Sequence, residues 1–377
     1  MSLLRSLALS ALPLLAASDA CADDTIFAGG FQKPWISGYH VGYQRDMYPI
    51  AEIDFSTMTH LMVGRVTPTS NGGVTRHFDI DNTNGPIFAQ QASNAAHAAG
   101  IKAVLMVGGA GEYSNWVSAA SPANRANFVA NLLDVMDDLG YDGLDLDWEP
   151  IQTSDEPNFI ALAQALRTAR PDMILTVPVG WINANFAGTT NPFFASIAPL
   201  FDQINIMSYD MAGDWGGWQS WFSSALTGHA GNTPSSLEVS AEWYRRSGVP
   251  RSRIGVGIPF YGTCWRNVSA PRLFGGTVVA SDNVMSYHNI MQSYYSAGLR
   301  QWDTAAMAPW LGSNAPIGPQ QCNFISYDDE QSIAAKGAYV RRNGLGGTII
   351  WTIAEGHLPE RPAGQRDPLL QAVKAAF

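Results

Sequence analysis

A chain of 377 residues that is 46% apolar can build one large domain or two ordinary ones. Only 14% of its residues are charged, against about 25% in an average soluble chain, and it holds 36 Gly and 22 Pro. That mix excludes a disordered chain, a coiled coil and a collagen-like fibre, and a formal net charge of −10 makes nucleic acid an unexpected partner.

The chain opens Met-Ser-Leu-Leu-Arg, runs apolar over residues 7–17, and then reads Ser-Asp-Ala-Cys-Ala-Asp-Asp. A short positive start, an apolar stretch and small residues before a cut make residues 1–22 an expected export signal, cleaved between Ala22 and Asp23. The apolar run is far shorter than the ~20 residues of a spanning helix, and no later segment is long and apolar enough. The polar Ser18-Asp19 pair before Ala20 speaks against a lipid anchor on Cys21. The expectation is a monomer exported to the extracellular or periplasmic space, with no membrane partner once the leader is gone. Cleavage leaves Cys264 and Cys322, which in an oxidising compartment form a natural disulfide. Closing so long a span contributes on the order of 4 kcal/mol in the chain-entropy picture.

Eight short β-rich runs follow, at residues 36–42, 60–67, 102–109, 143–149, 174–180, 203–210, 254–262 and 347–353. Most are continuously apolar, as parallel strands covered on both faces are. Amphipathic helical segments lie between them, among them 123–139, 158–169 and 235–246. Eight β-then-α units over the mature chain, 23–377, predict an α/β fold of the (β/α)8 TIM-barrel type. No glycine-rich phosphate loop follows the first strand, so a dinucleotide cofactor has no support. The interval after residue 262 is too long for one connection. Residues 263–324 carry their own β-like pieces, at 276–280 and 301–307, and read as a small α+β insertion domain between strands seven and eight, clasped at its base by Cys264 and Cys322.

The densest chemical signal is Gly143-Leu144-Asp145-Leu146-Asp147-Trp148-Glu149. On a strand, alternate side chains share a face. Leu144, Leu146 and Trp148 would pack outward against helices, while Asp145, Asp147 and Glu149 line the barrel axis, Glu149 nearest the C-terminal mouth where barrel sites form. A metal centre would want further ligands, and no His cluster accompanies this strand, so neither metal nor cofactor is expected. Three carboxyls in a column cannot all ionise cheaply; a chain of acids sharing a proton, the uppermost acting as general acid, gives that cost a purpose. Met207, Tyr209 and Asp210 end another strand, with Tyr209 facing inward near the mouth. Trp351 shares parity with Gly347 and Ile349 and also points inward, a candidate floor for a sugar ring. The other tryptophans, Trp181, Trp218, Trp221, Trp265 and Trp310, are open to either role, platform or packing.

Residues 142–149 resemble the DGxDxDxE signature of family 18 glycoside hydrolases, the chitinases and their relatives. Gly38-Tyr39, Val107-Gly108-Gly109, Met207 to Asp210, Gly257 to Gly262, Trp302-Asp303, Ile325 to Asp329 and Gly346 through Trp351 resemble the family's further motifs in the right order. The resemblance implies a secreted enzyme that cleaves β-1,4-linked N-acetylglucosamine polymers with retention, assisted by the substrate's own acetamido group. It makes Glu149 the acid, then base; Asp147 the partner of the acetamido N–H; Tyr209 the donor to the acetamido carbonyl. Asp210 and Met207 would contact the −1 sugar, with Trp351 beneath it, Trp215 would stack at +1, and Asp145, supported by Tyr39, would share Asp147's proton. Two departures stand out: Met106 replaces the serine of SxGG, which is expected to deprive Asp145 of a hydroxyl and favour its protonated form, and Thr263 replaces an arginine near Asp210. The resemblance also admits an endo-β-N-acetylglucosaminidase of N-glycans, whose members usually lack the insertion, and a non-catalytic chito-oligosaccharide-binding lectin, which typically lacks the acid.

Overall fold

The structure, a computed structural model, describes residues 33–377. The expected leader and its cleavage site lie outside the described residues.

Eight parallel strands close into a ring: β1 (Trp35–Val41), β2 (His60–Pro68), β4 (Lys102–Gly108), β5 (Gly143–Asp147), β6 (Ile174–Gly180), β7 (Gln203–Met207), β8 (Ile254–Pro259) and β14 (Gly347–Trp351). β1 pairs with β2 on one side and β14 on the other, which leaves the ring without an open edge. A two-residue strand, β3 (Val74–Thr75), folds back on the end of β2. The outer layer holds α1 (Asn84–Ala98), α2 (Tyr113–Ala119), α3 (Arg125–Asp138), α4 (Glu156–Ala169), α5 (Pro192–Ile197), α6 (Leu237–Arg246), α8 (Glu330–Asn343) and α9 (Pro368–Ala376). The expected (β/α)8 barrel is therefore present. Its repeat is not uniform: three single 3₁₀ turns stand in place of a helix between β1 and β2, and two helices follow β4.

Between β8 and β14 lies a second, antiparallel sheet of β9 (Thr263–Arg266), β10 (Thr277–Ala280), β11 (Arg300–Asp303), β12 (Ala308–Ile317) and β13 (Cys322–Ser326), in the order β10-β9-β13-β12-β11. One helix, α7 (Tyr287–Ser293), sits within it. Cys264 and Cys322 are joined by a disulfide. Trp221, Phe222, Trp265 and Phe324 form a separate buried cluster, with Trp310 packed against it. Trp221, Trp265 and Trp310 are thus packing rather than platforms.

The alternation on β5 holds. Leu144, Leu146 and Trp148 are buried in the outer core. Trp148 stacks on Trp116 of α2 at 5.2 Å and meets Phe159 of α4 edge-on at 5.9 Å. The strands end earlier than their apolar runs suggest. Trp148 N–H turns back to Leu146 C=O at 3.1 Å, and Ser208 N–H to Ile206 C=O at 2.8 Å, so each chain leaves the ladder two residues short of its functional side chain. Glu149 and Tyr209 stand on these turns.

A buried ion pair ties α8 to the segment after β7. Lys336 Nζ donates to both Asp328 oxygens at 2.8 Å and to Ser224 Oγ at 2.6 Å, with both charged side chains almost wholly out of solvent. Removing either partner would strand the other charge in the interior.

The disulfide constrains the unfolded chain over the whole insertion. Replacing both cysteines by serine should lower the thermal midpoint by about 5 °C or more, at about 2–4 °C per kcal/mol for a chain of this size, while far-ultraviolet circular dichroism stays native.

Candidate active site

The barrel's inner floor is a ring of Tyr39, Met62, Val104, Met106, Tyr209, Tyr261 and Ile349, all buried. Asp145 and Asp147 rise through it and are themselves buried, while Glu149 above them is half-buried. Water is excluded from the lower two carboxyls, which penalises their charged forms.

Asp145 is the better satisfied. Tyr39 Oη donates to its Oδ2 at 2.6 Å, and Thr176 Oγ1 donates to Oδ1. Thr176 sits directly beside Asp145 in the β5–β6 register, as Met106 does on the β4 side. Met106 offers Asp145 no hydroxyl, as expected, but Tyr39 and Thr176 still give it two donors. Burial still pushes the Asp145 carboxyl up to about 6, opposed by the Thr176 and Tyr39 hydrogen bonds, with Glu149's charge pushing the same way as burial.

Asp147 lies between two acids. Burial first, then the charges of Glu149 and Asp145, hold its carboxyl well above the usual carboxylate range, and Arg65 opposes them. Among the described residues its Oδ1 finds no hydrogen-bond partner. The backbone beneath is fixed: Trp116 Nε1 and the Gly109 N–H both donate to Asp147 C=O, at 3.0 and 2.7 Å.

Tyr209 lies against β8, where a side chain on Gly257 would stand 2.7 Å from its ring, so only glycine fits there. Asp210 opens to solvent in the cleft. It accepts from Tyr261 Oη at 2.9 Å, and crowding by protein raises its carboxyl despite that hydrogen bond. Its backbone N–H donates to Ser223 Oγ at 2.9 Å. Thr263 is buried in β9, paired with Ser326, and Tyr261 is the partner of Asp210. Trp351 packs on the Tyr39 ring at 5.3 Å, and its Nε1 donates to Asp282 Oδ1 at 3.2 Å.

Tyr39, Asp147, Glu149, Met207, Tyr209, Asp210, Tyr261, Asp282 and Trp351 line one cavity at the barrel mouth. Two others adjoin it and share Glu149 and Ala110. One is apolar, walled by Trp181, Ile151 and Phe194. The other is polar, walled by Tyr43, Arg65, Asp79 and Asp282. Trp215, 44% exposed, stacks with Trp181 at 6.1 Å, which places it beside the apolar arm. The predicted residues thus gather at one mouth, except the disulfide pair, which belongs to the insertion. Sequence reasoning missed Thr176, Tyr261, Arg65, Asp79 and Asp282. Tyr261 carried a usable signal, since it stands at the end of a β-rich run already identified. Among the described residues no group of three His, Cys, Asp or Glu side chains is arranged to hold a metal ion. Such an arrangement can position a polar chain against the Glu149 carboxyl group, with the unpartnered oxygen of Asp147 beside it.

The sequence profile described as Glycosyl hydrolases family 18 matches residues 36–356. Among curated relatives, a class V chitinase of Arabidopsis thaliana is 27% identical over 81% of this chain and 82% of its own. A probable endochitinase of Caenorhabditis elegans is 31% identical over 62% of this chain, which spans only 40% of that protein's length. A group IV chitinase of Ostrinia furnacalis superposes with a TM-score of 0.77 at 21% identity, covering 91% of this chain and 99% of that one. The same insect enzyme has been solved in complex with allosamidin, with the same TM-score, identity and cover of this chain and 98% of its own.

Ionisation of Asp145 inside the barrel has a sign that can be worked out. Its folded pKa lies above the ordinary carboxylate value, so its contribution to stability is full at acidic pH and is lost as pH rises through about 6. Asparagine at this position cannot ionise. Between pH 4 and pH 7 the unfolding free energy of Asp145→Asn should therefore gain on wild type by on the order of 2–3 kcal/mol, read from urea melts at each pH.

Proposed function

This chain belongs to glycosyl hydrolases family 18, and we propose that it is a secreted chitinase, hydrolysing β-1,4 linkages between N-acetylglucosamine units with retention of anomeric configuration. The observation that carries the reading is Asp147: a buried carboxyl beside Glu149 with one oxygen lacking any protein donor. An acetamido N–H is the donor such an oxygen calls for.

Glu149 donates its proton to the glycosidic oxygen as the bond from that oxygen to C1 breaks. The acetamido carbonyl oxygen of the same sugar attacks C1 and closes an oxazolinium ring, whose developing positive charge Asp147 stabilises through the N–H. Tyr209 donates to the carbonyl oxygen and holds it in line. Glu149, now a carboxylate, takes a proton from water; the hydroxide attacks C1 from the vacated face and reopens the ring. Two inversions at C1 give net retention. The raised Asp145 and Asp147 carboxyls keep a proton in the column, so that Asp147 can turn from Asp145 toward the substrate. Trp351 offers its ring as a floor and Asp210 a hydrogen-bond acceptor to the same sugar; Trp215 beside Trp181 offers the aglycone a stacking surface. The insertion, which brings Asp282 to the cleft, supports a chain-shaped substrate over a compact glycan core.

Incubation with N-acetylglucosamine oligomers of four to six sugars tests this. Short products that begin as the β-anomer are expected. Glu149→Gln should lower the rate by at least ~10² with the thermal midpoint unchanged. Oligomers that stay intact yet raise the thermal midpoint would replace hydrolysis by binding alone. Release of N-glycans with oligomers untouched would move the substrate to glycoproteins.

A further inference from the structure

Arg65 is a cation placed against an acidic column. Strand alternation would send it outward: Leu61 and Val63, four and two residues before it, are buried in the outer core. The β2–β4 register slips between Val63 and Val66, so Val66 resumes the outward row and Arg65 turns to the mouth of the barrel. An irregularity that re-aims one side chain beside a site is a known use of bulges. The guanidinium is then clamped. Nη1 donates to the carbonyls of Gly108 at 2.9 Å and Ala110 at 3.3 Å, and Nε donates to Asp79 Oδ2 at 3.1 Å. Gly109 leaves the space that lets it approach Asp147: a Cβ there would lie 3.2 Å from Arg65 Nη1 and 3.5 Å from Asp147 Oδ2. Arg65, Asp147 and Glu149 line the same cavity of 460 Å³. Met106 lines it too, its methyl 3.2 Å from that same Cβ position, so the third strand offers the acids no polar partner here.

We propose that Arg65 is a positioning residue for this hydrolysis: its clamped guanidinium supplies the fixed positive charge against which Asp147 sits, and so sets the pH range over which the Asp147–Glu149 pair turns over. The role rests on the hydrolase reading above. The groups facing Asp147 are Asp145 and Glu149 from β5 and its turn, Tyr39 from β1, Tyr209 from the turn after β7, and Arg65 from β2. Asp79 faces the guanidinium from its far side, and Asp282 of the insertion and Asp210 face the cleft. Of those acting on Asp147, only Arg65 is positive, and it favours the charged carboxylate. Arginine suits the task because it cannot lose its proton and its planar fork meets several acceptors at once.

The test is the pH profile of kcat/KM on N-acetylglucosamine oligomers. In Arg65→Met, loss of the cation should move both limbs to higher pH by about half to one unit, the scale for a partly exposed charge partly cancelled by its own partner. Arg65→Lys, which keeps the charge, should restore the wild-type profile. Asp79→Asn leaves the guanidinium uncompensated and should move both limbs the other way, which keeps the proposal open to test where Arg65→Met fails to fold. An Arg65→Met profile superimposed on wild type, an Arg65→Lys profile displaced as far as Arg65→Met, or an Asp79→Asn profile that stays or rises would each overturn it. Carbon-13 titration of the Asp147 carboxyl, assigned by its loss in Asp147→Asn, reads the same charge without substrate. If wild type hydrolyses nothing, the chitinase reading fails, yet an upward Asp147 shift in Arg65→Met would still support the charge role and an unchanged one would defeat it.

Discussion

Keeping two carboxyl groups out of water in the middle of a closed barrel is the constraint around which the other features fall into place. A buried carboxylate is destabilising unless hydrogen bonds, a proton or a counter-charge meets it. This barrel uses all three. Hydroxyls of Tyr39 and Thr176 meet Asp145 from β1 and β6. Burial and mutual repulsion keep the Asp147 carboxyl high, which retains a proton. Arg65 comes in from β2. The neighbours that allow this are small where they must be: Gly257 leaves room for the Tyr209 ring, and Gly109 for the guanidinium. The outward Leu144, Leu146 and Trp148, locked on α2 and α4, keep the acid-bearing strand from sliding.

The cleft that results is asymmetric about Glu149. One arm is aromatic and apolar, with Trp181 and Trp215 stacked near its wall. The other is lined by charge, with Arg65, Asp79 and Asp282. Flat sugar faces bind the first kind of surface through stacking, and hydroxyl rims bind the second through hydrogen bonds. A chain lying across both would meet different physics on either side of the bond to be cut, which gives it a direction. Asp282 joins the two halves of the structure, because it comes from the insertion yet accepts from the indole of Trp351 in the last barrel strand.

Much of this was legible in the sequence, for identifiable reasons. Period-two alternation places Asp145 and Asp147 inward without any knowledge of neighbours, because β5 is regular. Thr176 required knowing which residue lies opposite Asp145, a matter of register rather than pattern. Arg65 was hidden by the slip in β2, where alternation assigns it to the wrong face. Asp282 lies on an irregular turn of the insertion, in the left-handed region, where no periodicity exists to read. The overlong strand ends had the same origin as the function: the two residues past each ladder still carry a side chain to the barrel mouth, Glu149 after β5 and Tyr209 after β7. Tryptophan count alone could not separate Trp221 and Trp265, 0% and 1% exposed, from Trp215, since what covers a ring comes from distant parts of the chain.

The ring is closed by pairing β1 with β14, the first barrel strand with the last. In a chain that emerges from its N-terminus, residues 35–41 therefore wait for nearly the whole polypeptide before their second neighbour exists. The insertion does not wait: its five strands and both cysteines are complete by Ser326, before Gly347 is available. The small sheet can be assembled and cross-linked while the barrel is still an open, one-sided ribbon with two exposed edges. The last strand is laid between β8 and β1, and the indole it brings meets an aspartate whose whole segment precedes it in the chain.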